Sequence, residues 1–150
     1  MDSLLYHHQQ IRKNVLQALE GKDMVQLNTI PTGFTNNLIW NAGHIVATQQ
    51  ALIYLLSGLE AHMDTEVMKR YRKGTIPEQV SEMEQDYIKR LLQETAEKME
   101  EDLRNQIFKE YRPYETSFGV KLDTLADALA FNNVHEAMHL GYILSIRKLV

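Results

Sequence analysis

Two histidines four residues apart, His135 and His139, sit in the pentapeptide HEAMH within NNVHEAMHLGYILSIRKL. An α-helix turns about 100° per residue, so this spacing leaves the imidazoles about 40° apart on one face, where both reach a single ion. The pentapeptide also matches H-E-x-x-H, in which two histidines hold zinc and the glutamate between them is the general base of a protease. The neighbouring residues argue against proteolysis. A metzincin needs glycine and histidine where this chain has Tyr142 and Ser145, and the eleven residues after His139 include no acidic ligand. The third ligand is therefore sought upstream, where WNAGHIVA offers His44. Three imidazoles leave a coordination position open, as catalytic zinc sites do and closed structural sites do not. Nitrogen donors suit zinc, nickel, iron and copper alike, so residue type does not choose among them.

Other polar residues fall near these ligands. Glu136 projects about 60° from His139 and is a candidate base; against this stands the ordinary fate of a bundle glutamate, solvation or an ion pair. Tyr142 is a candidate donor to a metal-bound ligand, with core packing as its plainer role. Asn41 shares the face of His44, where it can orient an imidazole or fill a buried polar gap. His8 falls on an apolar helix face, but His7, His8 and His62 lack partners at ligand spacing and are excluded as ligands.

Such a site needs helices to carry it, and only three prolines and seven glycines interrupt the 150 residues. Leu4, Ile11, Val15, Ala18 and Leu19 recur at steps of three and four, which predicts a helix over residues 3–21. Pro31 and Gly33 make 22–34 a loop, and Thr35 is the expected N-cap of a second helix, with Phe34 and Ile39 as its hydrophobic staple. That helix runs to Gly58, the expected C-cap. Residues 59–74 read as a connector with room for a short helix. Thr75 and Glu78 have capping-box spacing with Pro77 in the first turn, so a third helix is expected there, with Val80, Met83, Tyr87, Leu91, Met99 and Leu103 as its buried stripe. The charge run EKMEEDL is read as a solvated face. Asn105–Lys121 carries Pro113 and Gly119 and reads as a long excursion, whose loop from Ile107 to Val120 is expected to shape access to the site. Asp123 or Thr124 is the expected cap of a fourth helix that continues to the C-terminus, with Thr124 and Asp127 at box spacing.

The expected fold is therefore an all-α, up-and-down four-helix bundle forming a single domain over residues 1–150. If helices two and four start at the same end, His44, His135 and His139 lie at similar depths, about 14 to 23 Å in at 1.5 Å per residue.

The chain has no cysteine, which excludes disulfides, thiolate metal sites and a cysteine nucleophile and fits a reducing compartment. Its net charge is −4, with lysine and arginine scattered among acids, so no basic stripe for nucleic acid is expected. The opening MDSLLYHHQQIRKN lacks a basic leader and no apolar run approaches spanning length, so a cytoplasmic protein without membrane contact is expected.

NNLIWNAGHIVATQQALIYLLSG and DALAFNNVHEAMHLGYILSIRKLV resemble the DinB-like (DinB/YfiT-like) four-helix-bundle metalloproteins, and the likeness extends over essentially the whole chain. In that family a histidine in W-x-x-x-H on helix two joins an H-x-x-x-H pair on the last helix to bind a divalent metal. Trp40 and His44 match the first element, and His135 and His139 the second. The resemblance implies a divalent metal, zinc or nickel, a homodimer, and a metal-dependent transferase or isomerase that uses a low-molecular-weight thiol; a related transferase or hydrolase that activates a thiol or water against a small-molecule electrophile belongs to the same reading. Such chemistry needs no protein cysteine, because a metal-bound thiol is lowered in pKa and presented as thiolate. The alternative is a non-catalytic bundle whose metal is structural or absent, acting as a dimeric or regulatory protein.

Overall fold

The computed structural model describes residues 1–150. The elements in order are α1 (Asp2–Leu19), α2 (Met24–Asn28), α3 (Leu38–Gln49, continuing through a π turn at Gln50–Tyr54 and a 3-10 turn at Leu55–Ser57), α4 (Thr65–Arg70), α5 (Glu82–Arg104), a hairpin of β1 (Tyr114–Glu115) and β2 (Lys121–Leu122), and α6 (Leu125–Ile146). The fold is all-α, with a bundle of α1, α3, α5 and α6, as the apolar spacing leads one to expect.

Helix directions depart from simple alternation. Asn133 donates to the carbonyl of Leu4 and Lys22 to that of Val150, so α1 and α6 run parallel. Gln49 donates to the Thr95 carbonyl and Tyr54 to Asp102, so α3 and α5 also run parallel. Asn41 meets His139 while Leu52 clusters with Leu129, which makes α3 and α6 antiparallel rather than parallel. The order is up, down, down, up. Its cause is residues 58–81, which return along the bundle so that α5 starts at the same end as α3.

Two helix starts also lie further along than expected. Asn37, not Thr35, caps α3, accepting from the Trp40 amide at 2.8 Å. Ser81, not Thr75, caps α5; the Thr75 hydroxyl instead bonds the carbonyl of Arg70 and accepts from the Trp40 indole. Asp23 caps α2, a short helix the loop reading does not anticipate, with a full capping box. The Thr124–Asp127 box and the left-handed Gly58 C-cap occur as expected.

One apolar cluster joins Val15, Leu19, Ile39, Val46, Ile88, Leu92 and Ile143, and a second joins Leu52, Tyr54, Met99, Leu122 and Leu129 toward the other end. Each fully buried aliphatic side chain contributes about 1.5–3 kcal/mol. The buried face of α5 is Gln85, Ile88, Leu91, Leu92, Thr95, Ala96, Met99 and Asp102. Met83, expected in that stripe, is 81% exposed. Polar residues replace it because each finds a partner: Gln85 donates to the Met24 carbonyl, Thr95 to that of Leu91, and Asp102 accepts from Tyr54.

Helix α6 carries one charged side chain between Ala128 and Ile146, Glu136, and it is buried. Its outward residues Val134, Met138, Tyr142 and Leu144 are exposed and uncharged. No helix is long and apolar enough to cross a membrane.

Candidate metal centre

His44 lies in α3, and His135 and His139 lie at and just past the middle of α6. Because these helices are antiparallel, the two positions meet. One nitrogen from each of the three rings falls within 4.8 Å of the others, and all three side chains are buried.

The orientation of two rings is fixed from behind. His44 donates from Nδ1 to the Tyr71 carbonyl at 2.7 Å, which leaves Nε2 as the lone-pair nitrogen. His139 donates from Nδ1 to Asn41 Oδ1 at 2.8 Å. Asn41 is itself held, because its amide nitrogen donates to Asn36 Oδ1 and to the Asn37 carbonyl, so its oxygen must face the imidazole. His135 differs: its Nδ1 is buried without a partner. Trp40 stacks on His44 with ring centroids 4.8 Å apart and planes within 7°, its indole N–H anchored on Thr75. The tryptophan thus forms a rigid wall behind the ligand.

The backbone permits this arrangement through a glycine. Gly43 packs against Tyr71, where an added Cβ would meet the ring at 2.3 Å. Only a bare Cα lets the Tyr71 segment approach close enough for its carbonyl to reach His44. Tyr71 is held at its other end by its hydroxyl, which donates to Glu84 at 2.8 Å.

Burial lowers the pKa of all three imidazoles. His44 falls through desolvation, resisted by its bond to Tyr71 and assisted by the charge of Lys73. His135 falls to about 4, through desolvation and then repulsion from His44, and His139 to about 3, through desolvation and then His135 and His44; Glu136 opposes both shifts. Neutral rings with free nitrogen lone pairs are the form a divalent cation binds. An orphaned buried nitrogen, two fixed tautomers and an all-imidazole donor set therefore fit such an ion, with His44, His135 and His139 as the side chains that would hold it.

Glu136, the candidate base, is fully buried on the side facing α1. Arg12 donates to both of its oxygens at 2.7 and 2.9 Å, and His8 and Asn132 meet Oε1 at 3.1 and 2.8 Å. Burial alone would raise its pKa, but Arg12 and then His8 outweigh that and hold the carboxyl well below the usual range. Tyr142 is exposed on α6, with its ring centroid 5.9 Å from that of His139, and does not line the cavity described next. His8 joins the Glu136 network, and His62 lies 3.5 Å from Asp102, away from the three ligands. Arg12 escapes sequence reasoning because a buried guanidinium has no local signature; its place on the Val15–Leu19 face is the one available hint.

A cavity of about 520 Å³ opens onto His44 and His135. Thr48, whose hydroxyl lies 3.4 Å from His44 Nε2, forms part of its wall. The excursion after α5 contributes Arg112, Tyr114, Thr116, Ser117 and Phe118. Its shape is set by Thr116, which accepts at Oγ1 from the amides of Phe118 and Val120, and by left-handed Gly119 in the turn.

The family model described as the DinB superfamily matches residues 7–143. Comparison with curated proteins finds no match.

Proposed function

Because this chain belongs to the DinB superfamily, we propose that His44, His135 and His139 hold a divalent ion, zinc or nickel, and that the protein is a metal-dependent transferase acting on a small electrophile with a low-molecular-weight thiol. The observation that carries this reading is the convergence of three buried imidazoles, two of which, His44 and His135, line an open cavity. Three protein ligands leave room for an exogenous one, whereas a structural site would close with a fourth.

When bound, the ion would supply Lewis acidity that lowers the pKa of a thiol presented to it. The chain's own residues do the rest. Tyr71 and Asn41 fix the tautomers of His44 and His139, Trp40 blocks the back of His44, and Leu52, Leu56 and Phe131 exclude water from one wall. In the transfer, the thiol loses its proton to bulk water, its sulfur forms a bond to the electrophilic carbon, and the leaving group departs with the bonding pair. We assign Glu136 to holding α6 against α1, since both of its oxygens are engaged, and Tyr142 to packing beside His139. Also part of the proposal are one domain spanning the chain, cytoplasmic residence, supported by the absence of cysteine, and a homodimer, supported by the uncharged outer face of α6.

The test is bound metal per chain, measured by elemental mass spectrometry on untagged protein, for wild type and His44→Ala. Near-stoichiometric metal that is lost in the variant, with thiol-dependent consumption of an electrophile by wild type only, is the expected result. Wild type that takes up no metal on reconstitution, or a variant that binds it equally well, overturns the reading.

A further inference from the structure

The cavity above His44 and His135 inverts the charge of the molecule around it. The chain holds 20 acidic and 16 basic residues, yet three of the 17 cavity-lining residues, Arg72, Lys73 and Arg112, are cations and none is an acid. Neighbouring cations are neutralised: Lys69 pairs with Glu66, and Arg70 with Glu84. Arg72, Lys73 and Arg112 have no carboxylate within ion-pair distance.

The three stem from anchored backbone in two separate segments. Arg72 and Lys73 directly follow Tyr71, whose carbonyl accepts from His44. Arg112 donates its backbone N–H to the Leu56 carbonyl at 2.8 Å, which ties the excursion to the end of α3. The charge of Lys73 reaches His44, where it disfavours protonation. Unpaired cations in a concave, partly apolar space interact more strongly with a small anion than the same charges spread over a convex surface. The cavity is also of a size that small-molecule sites commonly have.

We propose that this site takes a small molecule bearing an oxyanion, a carboxylate or a phosphate, with the charged end among Arg72, Lys73 and Arg112 and the reacting end toward His44 and His135. The placement of the reacting end rests on the metal-centre reading; the choice of an anion rests on the cationic lining alone. The apolar part of the ligand lies along Leu52, Leu56 and Phe131.

The experiment compares 3-mercaptopropionate, 3-mercaptopropan-1-ol and 3-aminopropanethiol on cobalt(II)-loaded protein, reading the thiolate-to-cobalt absorption band. The carboxylate thiol is expected to bind about ten-fold tighter than the alcohol at low salt, and the amine more weakly still. In Arg72→Gln/Lys73→Gln/Arg112→Gln the preference falls to about two-fold or less while cobalt content is unchanged; all three side chains are exposed and unpaired, so the variant folds. Competition by acetate against inorganic phosphate ranks the two oxyanions. Equal affinities for the three thiols in wild type overturn this inference and leave the metal reading standing. Failure of wild type to take up cobalt overturns the metal reading instead. Anion preference is then read on metal-free protein with 1-anilinonaphthalene-8-sulfonate against neutral N-phenyl-1-naphthylamine. A drop of about ten-fold for the sulfonate alone in the triple variant upholds the inference, and no difference between variant and wild type overturns it.

Discussion

Gly43 and Tyr71 meet with no room for a methyl group: a Cβ on Gly43 would stand 2.3 to 2.6 Å from three atoms of the Tyr71 ring. The contact sets how closely the Tyr71 backbone approaches α3, and so whether its carbonyl reaches His44. Alanine in place of a helical glycine gains up to about 1 kcal/mol of propensity. Overpacking a buried ring costs about 1–3 kcal/mol, and here the ring is closely confined. Gly43→Ala is therefore expected to lower thermal stability by about 1–2 kcal/mol net and to weaken metal binding. A raised melting temperature with unchanged metal affinity would show that Tyr71 has space to yield.

Asn41 acts on the site only through His139. Removing its oxygen leaves the imidazole tautomer unspecified and the Nδ1 proton buried without an acceptor, a loss that typically costs 10- to 100-fold in metal affinity. Asn41→Ala should show this in competition with a chromophoric chelator. Asn36→Ala, which removes only one acceptor of the Asn41 amide, should show a smaller effect. Equal losses in both variants would mean that Asn36 alone orients the amide and that the Asn37 carbonyl does not hold it.

The metal-free protein should lose stability as pH falls. His135 and His139 have folded-state pKa values of about 4 and about 3, below the 6.5 of an unfolded imidazole. The unfolded chain therefore binds more protons in this window, so their contribution is fully present above about pH 6.5 and declines as pH drops toward 4. Urea unfolding of the metal-free protein from pH 8 to 5 reads the slope, and His135→Asn/His139→Asn should flatten it. The same flat profile in wild type would mean that the rings are hydrated in solution.

Arg12 and Glu136 are both almost wholly buried. Removing one partner strands the other charge, at a cost of about 3–5 kcal/mol, whereas replacing both with apolar residues of similar volume is often neutral. Arg12→Met and Glu136→Met are each expected to shift the urea midpoint by that order, and the double variant to recover most of it. Additive losses in the double variant would show that His8, Asn132 and Thr95 need the pair as much as its members need each other.

Much of this was legible from local chemistry. The spacing of His135 and His139 on a helix, the Thr124–Asp127 box and the Gly58 stop depend on neighbours a few residues away, and each occurs. What local chemistry does not carry is helix direction. The antiparallel meeting of α3 and α6 follows from the return of residues 58–81, and no residue in that segment announces where it ends. Cap choice failed where several good caps compete, as Thr35 and Asn37 do, and the stripe of α5 was misread where buried Gln85, Thr95 and Asp102 are tolerated for their partners. The cationic wall of the cavity brings Arg112 to residues forty positions earlier in the chain, a proximity only the fold creates.

The near-absence of charge on α6 has a consequence for azimuth. A helix that is greasy on its inner and outer sides gains little from either side's burial over the other, so hydrophobicity hardly tells it how far to spin about its own axis. A slip of one residue would swing His135 and His139 by about 100° and carry them out of reach of His44. The single charge on that stretch, Glu136, clasped by Arg12 across the bundle, can be satisfied in only one such setting. It works as a key in a keyway: a polar bond on one side of the helix that indexes the ligands on the other.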